Sequence, residues 1–242
     1  ITDGAISGTS AAVNVVTDAT TFRVVPGPGI KTAGVEFDVD VTALDDYGNV
    51  DDDYDPSAGT FYFSGPGDAP DGTAPDYPGQ AAIVSSFTAG AASLDITLYK
   101  RETTTLTISD TSIDGTSPSL DVNSSVTGFT VAPSSTVQAA GAEFIVTATA
   151  IDDYQNVITD YAPEGKTFTL SGPANAPDGT SPDYPASPAI EAAFSDGEAD
   201  IPVTLYKAET AAVEFSDGLV SGTSPAVEVR TDAAFFTVTP PP

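Results

Sequence analysis

The chain has no cysteine, no methionine, no tryptophan and no histidine. Without Cys and His, the thiolate and imidazole ligands of zinc sites and the commonest general base are missing, which excludes zinc centres and His-based catalysis. Disulfides are excluded as well, so any domain must be held by its core alone. Positive charge is scarce: 7 Lys and Arg stand against 35 Asp and Glu, a formal charge of −28. A field of that sign repels phosphate backbones and anionic lipid, so nucleic acid and membrane surfaces are not expected partners. No run of 18 apolar residues and no charged-then-apolar leader occurs, so no membrane-inserted segment and no signal peptide are expected here. With no Met at its start, the chain reads as a mature product or a fragment.

What the chain does contain is a duplication. Val35 to Tyr54, VEFDVDVTALDDYGNVDDDY, returns 107 residues later at Ala142 to Tyr161 as AEFIVTATAIDDYQNVITDY. In each copy apolar side chains alternate (Val35, Phe37, Val39, Val41, Ala43; then Ala142, Phe144, Val146, Ala148, Ala150), and Asp-Asp-Tyr-Gly/Gln-Asn follows. That is a half-buried strand running into a tight turn. The period divides the chain into residues 20–126 and 127–233, each with a net charge of −13. A module of this size can hide roughly two-thirds of its unfolded surface, enough for a core without cross-links.

The rest of the module repeats at the same offset. Phe22 and Val24 precede Pro26, as Phe129 and Val131 precede Pro133, and Phe236 and Val238 precede Pro240. Phe61 and Phe63 alternate up to a Ser-Gly-Pro stop, and Ile83 and Phe87 follow a Pro-rich loop. After a turn at Gly90, alternation resumes through Leu94, Ile96 and Leu98, then Leu106 and Ile108, then Leu120 and Val122. About seven short strands at this spacing predict an all-β fold of antiparallel sandwich modules with no helix longer than a turn or two. Phe37, Phe61, Phe63, Leu98 and their equivalents should be buried. Ile1 to Val15 aligns with Ile108 to Val122, so residues 1–19 read as the last strand of a preceding module. Residues 234–242 read as the first strand of a following one. Connections as short as Asn123 to Gly128 would make such a series a semi-rigid rod.

The strand and turn of Ala142–Tyr161, with the closing FSDGLVSGTSPAVEV of Phe215–Val229, resemble the immunoglobulin-like tandem repeats of very large prokaryotic surface proteins. In those repeats T-A-x-D-x-x-G-N-x-x-x-x-Y sits near the start and D-x-x-x-x-G-T-S-x-x-x-x-V at the end. The resemblance implies an extracellular or cell-surface location and a structural, spacing or adhesive role, and it brings no catalytic residues. This chain departs from the pattern at Gln155, which stands where Gly48 stands in the first copy, and in the long loop that interrupts each module.

Ser64 to Pro78 reads SGPGDAPDGTAPDYP and Ser171 to Pro185 reads SGPANAPDGTSPDYP, identical at 12 of 15 positions. Loops that only connect strands drift freely, so agreement here points to a shared physical demand. Backbone shape is one such demand, set by the prolines, by Asp71-Gly72 and Asp178-Gly179, and by Tyr77 or Tyr184 packing under the loop. A contact surface is the other, with Pro66, Pro70, Asp71, Tyr77 and Pro78, and Pro173, Pro177, Asp178, Tyr184 and Pro185, as its residues.

The acidic turns also have two readings. Calcium takes six to eight oxygens, and Asp45, Asp46 and Asp53, then Asp152, Asp153 and Asp160, are the candidate ligands. Asp and Asn also build turns by bonding their own backbone, which needs no ion. Calcium is therefore the one cofactor to consider. Gly-x-Ser-x-Gly and glycine-rich phosphate loops do not occur, and carboxylate pairs, which a glycosidase would need beside a cleft, carry little in a chain this acidic. The sequence thus points to a non-enzymatic structural or spacer segment of an extracellular filament, stalk or giant surface protein. Its partners would be adjacent modules or neighbouring copies. The alternative is an adhesin module that grips a glycan or protein receptor, with Tyr47, Tyr154, Tyr77 and Tyr184 as stacking rings.

Overall fold

A computed structural model describes Gly4 and residues 6–231. Two compact units are formed, the first of the residues up to Asn123 without Ala69–Asp71, the second of Ala69–Asp71 with the residues from Ser124. The structure is nearly all β, built of small, mostly antiparallel sheets, and among the described residues no helix is long and apolar enough to cross a membrane.

In the first unit the strands are β1 (Thr21–Pro26), β2 (Lys31–Thr32), β3 (Phe37–Leu44), β4 (Tyr62–Ser64), β5 (Ala91–Ile96), β6 (Glu102–Thr104), β7 (Thr107–Ser109), β8 (Asp114–Thr116) and β9 (Leu120–Asn123), with helix α1 (Gln80–Ser86) before β5. They hydrogen-bond as β1-β3-β5, β2-β9-β6 and β4-β7-β8. Alternation sets the inner face: in β1 Phe22 and Val24 point inward while Thr21, Arg23 and Val25 do not. β3 lies between β1 and β5, with Val41 opposite both Val24 and Ala92, so a one-residue slip would turn every buried side chain to water. The core is Phe22, Val39, Val41, Leu94, Ile96, Leu98, Leu106, Ile108 and Val122, with Phe61 and Ile83 closing it.

The second unit has the same order of elements: β10 (Gly128–Pro133), β11 (Val137–Ala139), β12 (Glu143–Ile151), β13 (Thr169–Ser171), α2 (Ser187–Ala193), β14 (Glu198–Thr204), β15 (Thr210–Ala211), β16 (Glu214–Ser216), β17 (Ser221–Thr223) and β18 (Val227–Arg230). Its sheets are β10-β12-β14, β11-β18-β15 and β13-β16-β17, over a core that includes Phe129, Val146, Ile201, Leu205 and Phe215.

Several details differ from the sequence reading. One pair in each unit is parallel, β2 with β9 and β11 with β18; in the second unit Pro133 to Thr136 lead from β10 to β11, and in the first the Pro-Gly-Pro-Gly bend after β1 carries the chain to another sheet beside a strand of like direction. That bend is tied by Lys31, whose ammonium donates to the carbonyls of Gly27 and Pro28 and lies 5.1 Å from the centre of the Phe37 ring. Phe37, expected in the core, is only half-buried at its edge, as is Phe63, whose ring stacks on Tyr77. Ile83 and Ile190 sit on two-turn helices and are buried, each one residue per helix facing the core. Of the two partial strands expected at the ends, that of residues 234–242 lies outside the described residues. Residues 6–20 form no strand beyond a bridge at Ser7.

Candidate functional site

The end of the acidic turn and the start of the closing segment meet in space. Tyr54 follows the turn of the first unit, and its hydroxyl donates to Asp110 Oδ2 at 2.5 Å, 56 residues away. Asp110 is buried, and its Oδ1 accepts the backbone N–H groups of Ser112 and Ile113, both at 2.8 Å. The Tyr54 ring stands edge-on to Phe22 at 5.6 Å. In the second unit Tyr161 donates to Asp217 Oδ2 at 2.7 Å, Asp217 Oδ1 accepts from Leu219 and Val220, and the Tyr161 ring meets Phe129 at 5.5 Å. The clasp joins both repeated sequence patterns through buried, charge-assisted bonds, each worth about 1.5–3 kcal/mol.

Burial, followed by the neighbouring carboxylate, pushes both phenols well above the ordinary tyrosine value. For the acids, burial works against ionisation but is outweighed. The Tyr54 hydroxyl and the N–H groups of the following turn hold Asp110 below its usual value. Lys166, the N–H groups of Val220 and Leu219, and Tyr161 hold Asp217 at about 2. The Lys166 ammonium lies 2.5 Å from Asp217 Oδ2 and 4.9 Å from the centre of the Tyr161 ring, so the buried anion has its own counter-charge.

The first unit has no lysine there. The position 107 residues before Lys166 is Gly59, and a cavity of about 350 Å³ opens beside it, lined by Asp18, Asp51, Asp53, Tyr54, Asp55 and Asp110. Asp51 Oδ2 accepts the Ala19 N–H at 2.8 Å, while Oδ1 is buried with no partner. Its neighbour Asp53 is raised above the ordinary aspartate value, first by a hydrogen bond with Asp51 and then by the charges of Asp51 and Asp52.

The candidate calcium ligands fall into separate roles. Asp45 Oδ1 accepts the N–H of Tyr47 and Asn49 at 2.9 and 2.8 Å, and its Oδ2 accepts the Asn49 amide at 2.9 Å. The Asn49 amide and then these backbone donors lower its pKa. Asp152 makes the same set with Tyr154 and Asn156 at 2.7–2.9 Å, and is buried. Asp46 and Asp153 are exposed beside these turns, Asp160 is exposed further on, and Asp53 belongs to the cavity described above. Among the described residues no group of three or more Asp or Glu side chains is arranged to hold a metal ion.

The Pro-rich loop is fastened to its own unit at three places. The Gly67 N–H donates to Glu102 at 2.8 Å and the Ala174 N–H to Glu209 at 2.7 Å. Those glutamates pair with Lys100 and Lys207. Asp76 exchanges both backbone bonds with Thr97, as Asp183 does with Thr204. Tyr77 stacks flat on Phe63 with centroids 4.6 Å apart, and Tyr184 packs against the second core. Pro66, Tyr77 and Pro78, with Pro173, Tyr184 and Pro185, are thus half-buried, whereas Pro70, Asp71, Pro177 and Asp178 are exposed at the tip. Asp178 caps its own turn through the Thr180 N–H. Of the four tyrosines expected to present open rings, Tyr47 does so at 92% exposure, and Tyr77, Tyr154 and Tyr184 are half-buried.

The Tyr–Asp clasp, the Asp51 cavity and Lys166 are not foreseen in the sequence reading. The available signal was that Tyr54 and Tyr161, and Asp110 and Asp217, are identical at the common offset, while Gly59 and Lys166 are not.

No family model and no curated protein matches the chain. Among solved structures, it is similar to the Escherichia coli adhesin FdeC at 17% identity and TM-score 0.42, covering 89% of this chain and 66% of that one. It is similar to the Yersinia pseudotuberculosis adhesin InvE at 13% identity and TM-score 0.36, covering 86% and 58%. Domains 5–6 of the S-layer protein SbsC align at 16% identity and TM-score 0.31, covering 91% and 100%. The chain spans less than two-thirds of the length of the two adhesin structures.

Proposed function

We propose that the chain is a non-catalytic structural segment of an extracellular filament, stalk or giant surface protein, built of serial immunoglobulin-like modules that associate with neighbouring copies. The observation that carries this reading is the repeated Pro-rich loop. Its body is fastened by residues common to both copies, the Asp76 and Asp183 bridges and the Tyr77 and Tyr184 rings, and at its tip Pro70, Asp71, Pro177 and Asp178 are exposed. A loop ordered in advance loses little entropy on contact, which suits a repeated junction.

Two further features support a structural role. The carboxylates of Asp45, Asp152, Asp110 and Asp217 accept fixed backbone donors and act as turn caps and clasps. Four residues separate β9 from β10, a short connection for a serial array. A charge of −13 per module opposes side-by-side packing, so contacts between copies should tighten as salt rises. The test is light scattering with electron microscopy across a salt series. The wild type is compared with a variant in which Pro70-Asp71 and Pro177-Asp178 become Gly-Ser. Assembly that grows with salt and weakens in the variant is the expected result; single particles under every condition would overturn the association.

A further inference from the structure

Comparing the two clasps exposes an imbalance of charge. Around Asp217 the second unit places one ammonium, Lys166, in direct contact with the buried carboxylate. The first unit keeps the carboxylate and the tyrosine but has glycine at the matching position, and no Lys or Arg lines its cavity. It also gains acids. Where the second unit has Ser125, Ile158 and Ala162, the first has Asp18, Asp51 and Asp55. Three added carboxylates and one missing ammonium make the same region four charges more negative.

Asp51 is the most telling of these. Its counterpart Ile158 is buried at 4% exposure as an apolar residue should be, yet Asp51 is buried at 6% with Oδ1 unpartnered. A carboxylate oxygen taken from water without a partner is costly, and replacing an apolar core position by one is costlier still. The cost is removed if something positive occupies the cavity that Asp51 and Asp53 line.

We infer that the first unit alone binds a divalent cation, with calcium the fitting ion, held by Asp51 and Asp53 in the cavity beside the Tyr54–Asp110 clasp, where the second unit supplies the ammonium of Lys166. Calcium takes six to eight oxygens in irregular sets, so the two carboxylates would be completed by water and by the exposed Asp18, which lines the same cavity. The site is distinct from the turn at Asp45, whose oxygens are engaged in its own backbone bonds. One unit is thus cross-linked by a fixed internal cation and the other by an exchangeable one, so its stiffness would follow the ion concentration outside.

Stoichiometry separates this site from ion binding at the repeated turns, which would give two ions per chain. The whole chain is titrated calorimetrically with calcium and with magnesium at fixed ionic strength. Wild type is run beside Asp51→Asn, Asp53→Asn and the second-unit control Asp153→Asn. One calcium per chain is expected, with affinity on the order of 10⁻⁴ to 10⁻³ M and magnesium weaker. Binding should fall at least tenfold in Asp51→Asn and Asp53→Asn and be unchanged in Asp153→Asn. Asp53 is exposed, so its variant keeps the test valid if Asp51→Asn fails to fold. Terbium luminescence excited through tyrosine, quenched by competing calcium and lost in Asp53→Asn, reads the same site independently. Two ions per chain, no ion, or one ion indifferent to both substitutions would overturn the inference.

Discussion

Tyr161 donates its hydroxyl to Asp217 Oδ2 across 56 residues of chain, tying the end of the acidic turn to the start of the closing segment. Removing that hydroxyl leaves the buried carboxylate one donor short. Tyr161→Phe should destabilise the second unit by about 1.5–3 kcal/mol, measured as a shift in urea midpoint at unchanged m-value. Tyr54→Phe should act on the first unit to a similar extent.

Acid should unfold both units through these carboxylates. Their folded values are depressed, so the stabilisation is complete above the unfolded aspartate value of about 3.9 and disappears as pH falls through the folded value, about 2 for Asp217. Asp217 alone should cost about 2 kcal/mol over that window. The phenols act in the opposite direction: raised folded values keep their contribution intact below about pH 10 and lose it as pH climbs. Urea midpoints followed across both ranges check the two limbs, and Asp217→Asn should flatten the acid limb of the second unit.

The turn caps should be unequal. Asp152 is buried with three accepted bonds, so Asp152→Ala should cost about 2–3 kcal/mol. The same bonds at Asp45 are exposed, and Asp45→Ala should cost clearly less than Asp152→Ala. Equal losses by thermal or urea unfolding would contradict the burial argument.

Backbone conformation gives predictions of both signs. Gln155 sits at φ 64, where the first turn has Gly48 at φ 81. Gln155→Gly should stabilise by about 0.5–1 kcal/mol, the relief of a left-handed side chain less the added freedom of the unfolded chain. At Gly222 a Cβ would lie 1.9 Å from the Phe129 carbonyl oxygen, as at Gly115 against Phe22. Gly222→Ala should therefore cost about 3 kcal/mol or more.

Much of the fold was legible because period-two alternation reports the buried face directly. Val39, Val41, Leu94, Ile96 and their counterparts lie where their phase puts them. Phe37 and Phe63 are only half-buried at the edge of the core, where Lys31 lies over one ring and Tyr77 flat on the other. No local pattern encodes such partners. The parallel pairing of β2 escaped for a related reason: two residues are too few to carry a phase, and the partner β9 lies about 90 residues on. The acidic turns illustrate the limit most clearly. Composition shows many carboxylates near Asp45 and Asp53, but the bonds separate Asp45, turned to its own backbone, from Asp53, turned toward Asp51.

The central claim is that the chain works as serial, separately folded modules. Single-molecule force extension of the full chain tests it most directly. Each module of 107 residues should release a contour length of about 35 nm, its extended span less its folded length. The account predicts two steps of equal size, one per module. A single step of about 70 nm, or smooth extension without steps, would contradict it.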